Sequence, residues 1–176
     1  MDFTNDVFDA GQLPKAEHVP LIPIERSYLT VVRIEWSISA AILLIIASAL
    51  VLSIESLQGP LWMSIIFGGW LVLTATYFFV QQKGFYSKAY ALRDKDLIFR
   101  SGWIVRKIST CPFNRIQHSS VNTGFFERRY GLATLALYTA GTNDADLRIP
   151  GLKEADAYAM KEWITQKIIH EEQTRI

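Results

Sequence analysis

The chain of 176 residues is half hydrophobic by composition, carries a formal net charge of +1 and holds one cysteine, Cys111. Such averages would suit an ordinary soluble domain. A single cysteine excludes an internal disulfide and fits a reducing compartment.

Along the chain the averages break up. Residues 1–24 contain Pro14, Pro20 and Pro23 with scattered acids and no sustained period, which predicts an irregular lead-in. Residues 25–82 read as an interfacial segment followed by a membrane α-helical hairpin. Its two runs, 36–54 and 61–80, are 19 and 20 residues long and contain no Lys, Arg, Asp or Glu. As helices they measure roughly 28 and 30 Å, against a bilayer hydrocarbon core of about 30 Å. Ten residues of the first run are Ile, Leu or Val, which favour insertion by roughly 3–6 kcal/mol. Residues 55–60 between them leave room only for a tight turn. The 94 residues from Lys83 onward are too few to bury two such helices.

The first 35 residues hold six acids against three bases, and no small-residue cleavage pattern follows the first run. That run is therefore expected to remain as an anchor. Arg26 and Arg33 precede the first span, Lys83 and Lys88 follow the second, and the turn carries only Glu55. Basic flanks stay inside, so both termini are expected to face the cytoplasm. Trp36, Trp62 and Tyr77 fall near the expected interfaces. Ser37 with Ala41, and Ser64 with Gly68 followed by Gly69, are small residues at helical spacing, suited to close packing within the hairpin or against another membrane protein.

After the hairpin the period shortens. Alternation and turn residues predict short strands at 86–92, 97–100, 103–109, 116–123, 133–140 and 147–149, arranged as an antiparallel meander. Asp and Gly clusters at 93–96, 101–102 and 141–144 mark turns. The last segment is helical, with Leu152, Ala155, Ala159, Met160, Trp163 and Ile164 on one side and Glu154 and Asp156 in the first turn, where the helix dipole favours acids. Such a stripe needs a sheet to pack on. Residues 83–176 thus form one domain.

Several stretches occur in order after the hairpin: Leu92-Arg93-Asp94, Leu97-Ile98-Phe99-Arg100-Ser101-Gly102-Trp103, Arg115-Ile116-Gln117, Gly124-Phe125-Phe126-Glu127-Arg128-Arg129-Tyr130-Gly131-Leu132-Ala133, Thr139-Ala140-Gly141 and Ile149-Pro150-Gly151-Leu152. Together they resemble the bacterial pleckstrin-homology-like membrane proteins of the YdbS type, over residues 25–176. The resemblance implies an all-β pleckstrin-homology-like barrel or sandwich, with two near-orthogonal sheets and a C-terminal capping helix. That fold has seven strands, so it also implies a seventh at 126–130. Members show no clear enzymatic motif, and some are larger membrane proteins carrying several such domains, which implies one of these as partner. Eukaryotic relatives bind phosphoinositides through a basic first β-turn. Here that turn, Arg93-Asp94-Lys95-Asp96, is half acidic.

No residues of the chain converge on chemistry. His18, His118 and His170 are too far apart in sequence to suggest a metal cluster. Cys111 lacks a recognisable catalytic partner. The acidic pairs Asp94 with Asp96 and Asp144 with Asp146 sit where turns favour Asp. No catalytic residue, cofactor or metal is expected.

Charge is more informative. Residues 83–129 hold ten bases and three acids, a net of +7; residues 130–176 hold five bases and seven acids, a net of −2. Lys83, Lys88, Arg100, Arg106, Lys107, Arg115, Arg128 and Arg129 are candidates to meet anionic lipid, at about 1 kcal/mol per well-placed base. Phe125 and Phe126 beside them are candidate contacts for a protein partner, with burial in the core as the competing reading. The tether, and the lack of an interleaved aromatic-basic platform, argue against nucleic acid. The expected function is a non-enzymatic, membrane-anchored interaction module that binds a membrane protein or a second copy of itself, and anionic lipid. The alternative is an accessory subunit of a transport or export complex. Two spans without an internal charge cannot build a substrate path alone.

Overall fold

Two helices form around the uncharged runs. In the computed structural model, which describes residues 19–139 and 145–173 with side chains through 169, α1 is Ser27–Ser53 and α2 is Pro60–Tyr86. His18, the side chain of His170, Asp144 and the expected 141–144 turn lie outside the described residues. Each helix has 27 residues, so each is roughly 40 Å long. Both overrun the expected spans at the end nearest the β-domain. A 3-10 turn, Glu55–Leu57, and Pro60 at the first helical position join them, where the missing proline N–H costs nothing. By length and composition both could cross a membrane, and few residues of either apolar stretch are buried.

The two helices are held together by large rings. The Trp70 indole N–H donates to the Ala40 carbonyl at 3.2 Å, and Trp36 stacks on Tyr77 with ring centres 3.9 Å apart. The small residues do not lie in this seam. Ser37, Ala41, Ser64, Gly68 and Gly69 are all exposed, and a Cβ added to Gly68 or Gly69 would meet nothing within 4 Å. The hydroxyls of Ser37 and Ser64 turn back to the carbonyls of Arg33 and Pro60, both at 2.8 Å.

The β-domain has one sheet of four strands and one of three, with antiparallel neighbours throughout. The first sheet runs β1 (Ile22–Pro23), β2 (Ala89–Leu92), β3 (Asp96–Ser101) and β4 (Lys107–Pro112). The second runs β5 (Ile116–Asn122), β6 (Leu132–Thr139) and β7 (Leu147–Lys153). A five-residue helix α3 (Phe125–Arg129) lies between β5 and β6, and α4 (Glu154–Gln173) closes the chain across the second sheet.

Three expectations are corrected. The seventh strand is not 126–130, which is helix as far as Arg129 and a turn at Tyr130, but Ile22–Pro23 from the lead-in. Its two residues are too few to show a period, and Pro23 suits an edge because it cannot donate to a ladder. The strand expected at 103–109 begins at Lys107, so Trp103, Ile104 and Val105 belong to the turn after β3. The buried face of α4 is Ala157, Met160 and Ile164 with Trp163 partly covered, while Ala155 and Ala159 face solvent and Leu152 lies in β7. Alanine gives too little apolar area to fix a helix face.

Leu97, Phe113, Leu135, Leu137, Ile149, Leu152 and Ile164 build the core. It also takes in Ile24 before α1 and Phe85 at the end of α2, with Tyr28 and Leu29 packed against it. The helical hairpin therefore leaves and re-enters the β-domain between β1 and β2 through buried residues.

Candidate functional site

Helix α3 is set by its two ends. Glu127, 9% exposed, accepts the Gly124 N–H at 2.8 Å and the Thr134 hydroxyl at 2.9 Å. Its carboxylate thus satisfies an orphan donor of the first turn and ties the helix to β6. At the other end Gly131 takes a φ of +63°, the left-handed conformation that stops helices. With Glu127 turned inward, Phe125, Arg128 and Arg129 face outward. Phe125 is 86% exposed and meets Phe126 edge to face, with ring centres 5.2 Å apart. These four residues and Thr123 line an open cleft of about 820 Å³. Sequence reasoning picks out the Phe and Arg pairs as contacts but misses the brace, whose one signal is a Glu three residues after Gly124.

The other basic candidates do not gather in one place. Lys83 lies over the Phe79 ring at 5.6 Å, and Arg100 donates from Nε to the Ser87 carbonyl at 3.4 Å. Arg100 and Arg106 share with Tyr86, Gly102 and Ile108 a groove of about 440 Å³, and exposed Lys107 begins β4 close by. Lys88, over the Tyr28 ring at 5.3 Å, is half-buried, and burial pushes its ammonium pKa below the usual lysine value. Arg115 stands apart. Pairing of Ser101 with Lys107 and of Asp96 with Pro112 puts it at the end of the sheet opposite the 102–106 turn, roughly 17 Å away along the strands.

The 93–96 turn joins β2 to β3, and three of its four charges, those of Arg93, Asp94 and Asp96, are paired within the domain. Arg93 pairs with Asp96, which raises the guanidinium pKa, and Lys167 of α4 pairs with Asp94, which holds that carboxyl below the usual range. The first connection of the sheet is instead the helical hairpin itself. Among the described residues no three His, Cys, Asp or Glu side chains gather as a metal site would. His118 stacks on Tyr138 with ring centres 4.2 Å apart. Cys111 is buried, and burial, with Asp146 adding to it, pushes its thiol pKa up.

Sheets of four and three strands with a helix across the second define a pleckstrin-homology-like domain. A family model described as the bacterial PH domain matches residues 29–168, and the chain belongs to that family. No curated protein and no solved structure matches the chain. Members of the family are non-catalytic modules that mediate protein or lipid interactions, and this chain is not an enzyme.

Proposed function

We propose that the chain is a two-span membrane anchor of the YdbS type that presents its PH-like domain at the cytoplasmic surface and docks a membrane protein there. In this reading α1 and α2 cross the bilayer, and residues 83–176, joined by β1, form the presenting domain. Most apolar residues of the two helices are left exposed, which supports the anchor, because core helices of a soluble protein would be covered. Basic residues flanking the uncharged runs, Arg26 and Arg33 before the first and Lys83 and Lys88 after the second, support a cytoplasmic domain and attraction to anionic lipid.

The observation that carries the docking role is the α3 shelf. An aromatic ring left 86% exposed, flanked by two arginines on a braced helix, has the composition of a binding hot spot. A photo-crosslinking residue in place of Phe125 in the full chain, in cells, is expected to give a discrete adduct with a membrane protein. Arg128→Glu with Arg129→Glu should abolish it. Adducts no more frequent than from Tyr158, exposed on α4, would contradict the docking role.

A second reading, an accessory subunit packed against a larger translocator, is favoured by the open faces at Ser64, Gly68 and Gly69. Small residues let a partner helix approach closely. The identity of the crosslinked protein separates the two, since the first reading expects another PH-domain membrane protein or a second copy.

A further inference from the structure

Hairpin tips in water are normally polar and rich in turn residues. The turn joining β3 to β4 is neither. Trp103, Ile104 and Val105 follow one another at its tip and are 44%, 74% and 77% exposed. The turn has a defined shape, because Gly102 adopts a φ of +87° and a Cβ there would fall 2.0 Å from the Val105 carbonyl oxygen. Its position is tied to the anchor. Trp103 meets Phe79 of α2 edge to face, with ring centres 5.8 Å apart and planes at 83°. Phe79 belongs to the uncharged run 61–80 and stands two residues beyond Tyr77, the partner of Trp36, a rise of about 3 Å. Trp36, Tyr77, Phe79 and Trp103 thus bring aromatic rings from three elements to one height on the hairpin. Rings gather in this way at a membrane–water boundary. Residues 100–107 also contain three bases, Arg100, Arg106 and Lys107, and no acid.

We propose that the 102–106 turn is a wedge that enters the cytoplasmic leaflet beside α2, with Trp103, Ile104 and Val105 among the lipid chains and Arg100, Arg106 and Lys107 at the phosphates. The occupant is the bilayer because the tip is continuous, through Trp103 and Phe79, with the surface of the anchor. The wedge rests on the reading of α1 and α2 as spans. It gives the domain a third attachment beyond the two helices, which resists rocking of the β-domain about them.

The test uses the full chain in vesicles of phosphatidylcholine and phosphatidylglycerol, with an environment-sensitive fluorophore on Ile104→Cys or, separately, Val105→Cys. Leu73→Cys, on the lipid-facing side of α2, and Tyr158→Cys, on α4, are the references. The unsubstituted chain, whose Cys111 is buried, is the labelling blank. With lipids carrying a nitroxide near the headgroup end of the acyl chain, labels at 104 and 105 are expected to lose most of their emission and to shift to the blue. The Tyr158 label should stay bright. Quenching at 73 without quenching at 104 or 105 would overturn the wedge and leave the anchor standing. A blue shift at 104 without quenching would also overturn it, because protein and not lipid would then cover the tip. No quenching even at 73 would remove the anchor and the wedge with it.

Discussion

Replacing Gly151 with alanine tests how firmly the β-domain is seated on the hairpin. Gly151 lies in β7 with a φ of +68°, and an added Cβ would stand 2.6 Å from Cγ and 2.7 Å from Cβ of Tyr28 in the first turn of α1. Its carbonyl accepts the Glu25 N–H at 2.9 Å, so the backbone cannot move away without loosening the entry to α1. The left-handed conformation costs an L-residue roughly 1–2 kcal/mol. Forcing the ring aside adds about 1–3 kcal/mol by comparison with overpacked cores. Even the lower end, about 2 kcal/mol, lowers the unfolding midpoint of a domain this size by roughly 10 °C. Thermal unfolding of the full chain in detergent, followed by tryptophan fluorescence, measures the change. In a Tyr28→Ala background only the conformational part should remain, which leaves a coupling of about 1–3 kcal/mol between the two sites. An unchanged midpoint for Gly151→Ala, or the same loss in both backgrounds, would refute close packing of α1 on β7.

Glu127→Ala leaves the Gly124 N–H and the Thr134 hydroxyl without their acceptor and should cost about 1–3 kcal/mol, measured in the same melt; it should also weaken crosslinking from position 125. Trp70→Phe removes the interhelical donor to Ala40 and should weaken the hairpin by about 0.6 kcal/mol, the average for such bonds in membranes, in a denaturing-detergent titration. Cys111 should resist maleimide in the folded chain and react once it is unfolded. Because burial raises the thiol pKa, the linked stability is present below the ordinary thiol range and declines as pH rises through the raised value, so melts at increasing alkaline pH should show a falling midpoint that Cys111→Ala reduces.

Features with a strong period or a long run were legible in the sequence. The uncharged runs gave the two helices, alternation around Leu135 and Leu137 gave β6, and ordered short motifs gave the fold family. What stayed hidden depended on contacts distant in sequence. Ile22–Pro23 form a strand only because Tyr90 and Ala89 lie beside them. Phe125–Arg129 becomes a helix through the return of Glu127 to Gly124 and its bond to Thr134. At 103–109, Trp103 and Val105 fit strand alternation as well as they fit an apolar tip, and only the pairing of Ser101 with Lys107 separates the readings. Charge counts were equally blind to place. Arg93 and Arg115 add to the basic half, yet one is paired within the domain and the other is at the far end of the sheet.

Placing the β-domain on one side of a bilayer, with the Glu55–Leu57 turn on the other, is the central claim, and thiol accessibility tests it most directly. Ser56→Cys and Tyr158→Cys in the full chain would be treated with a membrane-impermeant maleimide, in spheroplasts and after lysis. Labelling of position 56 in intact spheroplasts, and of position 158 only after lysis, is the predicted result. Labelling of both positions under the same condition, whether before or only after lysis, would contradict a hairpin that crosses the membrane.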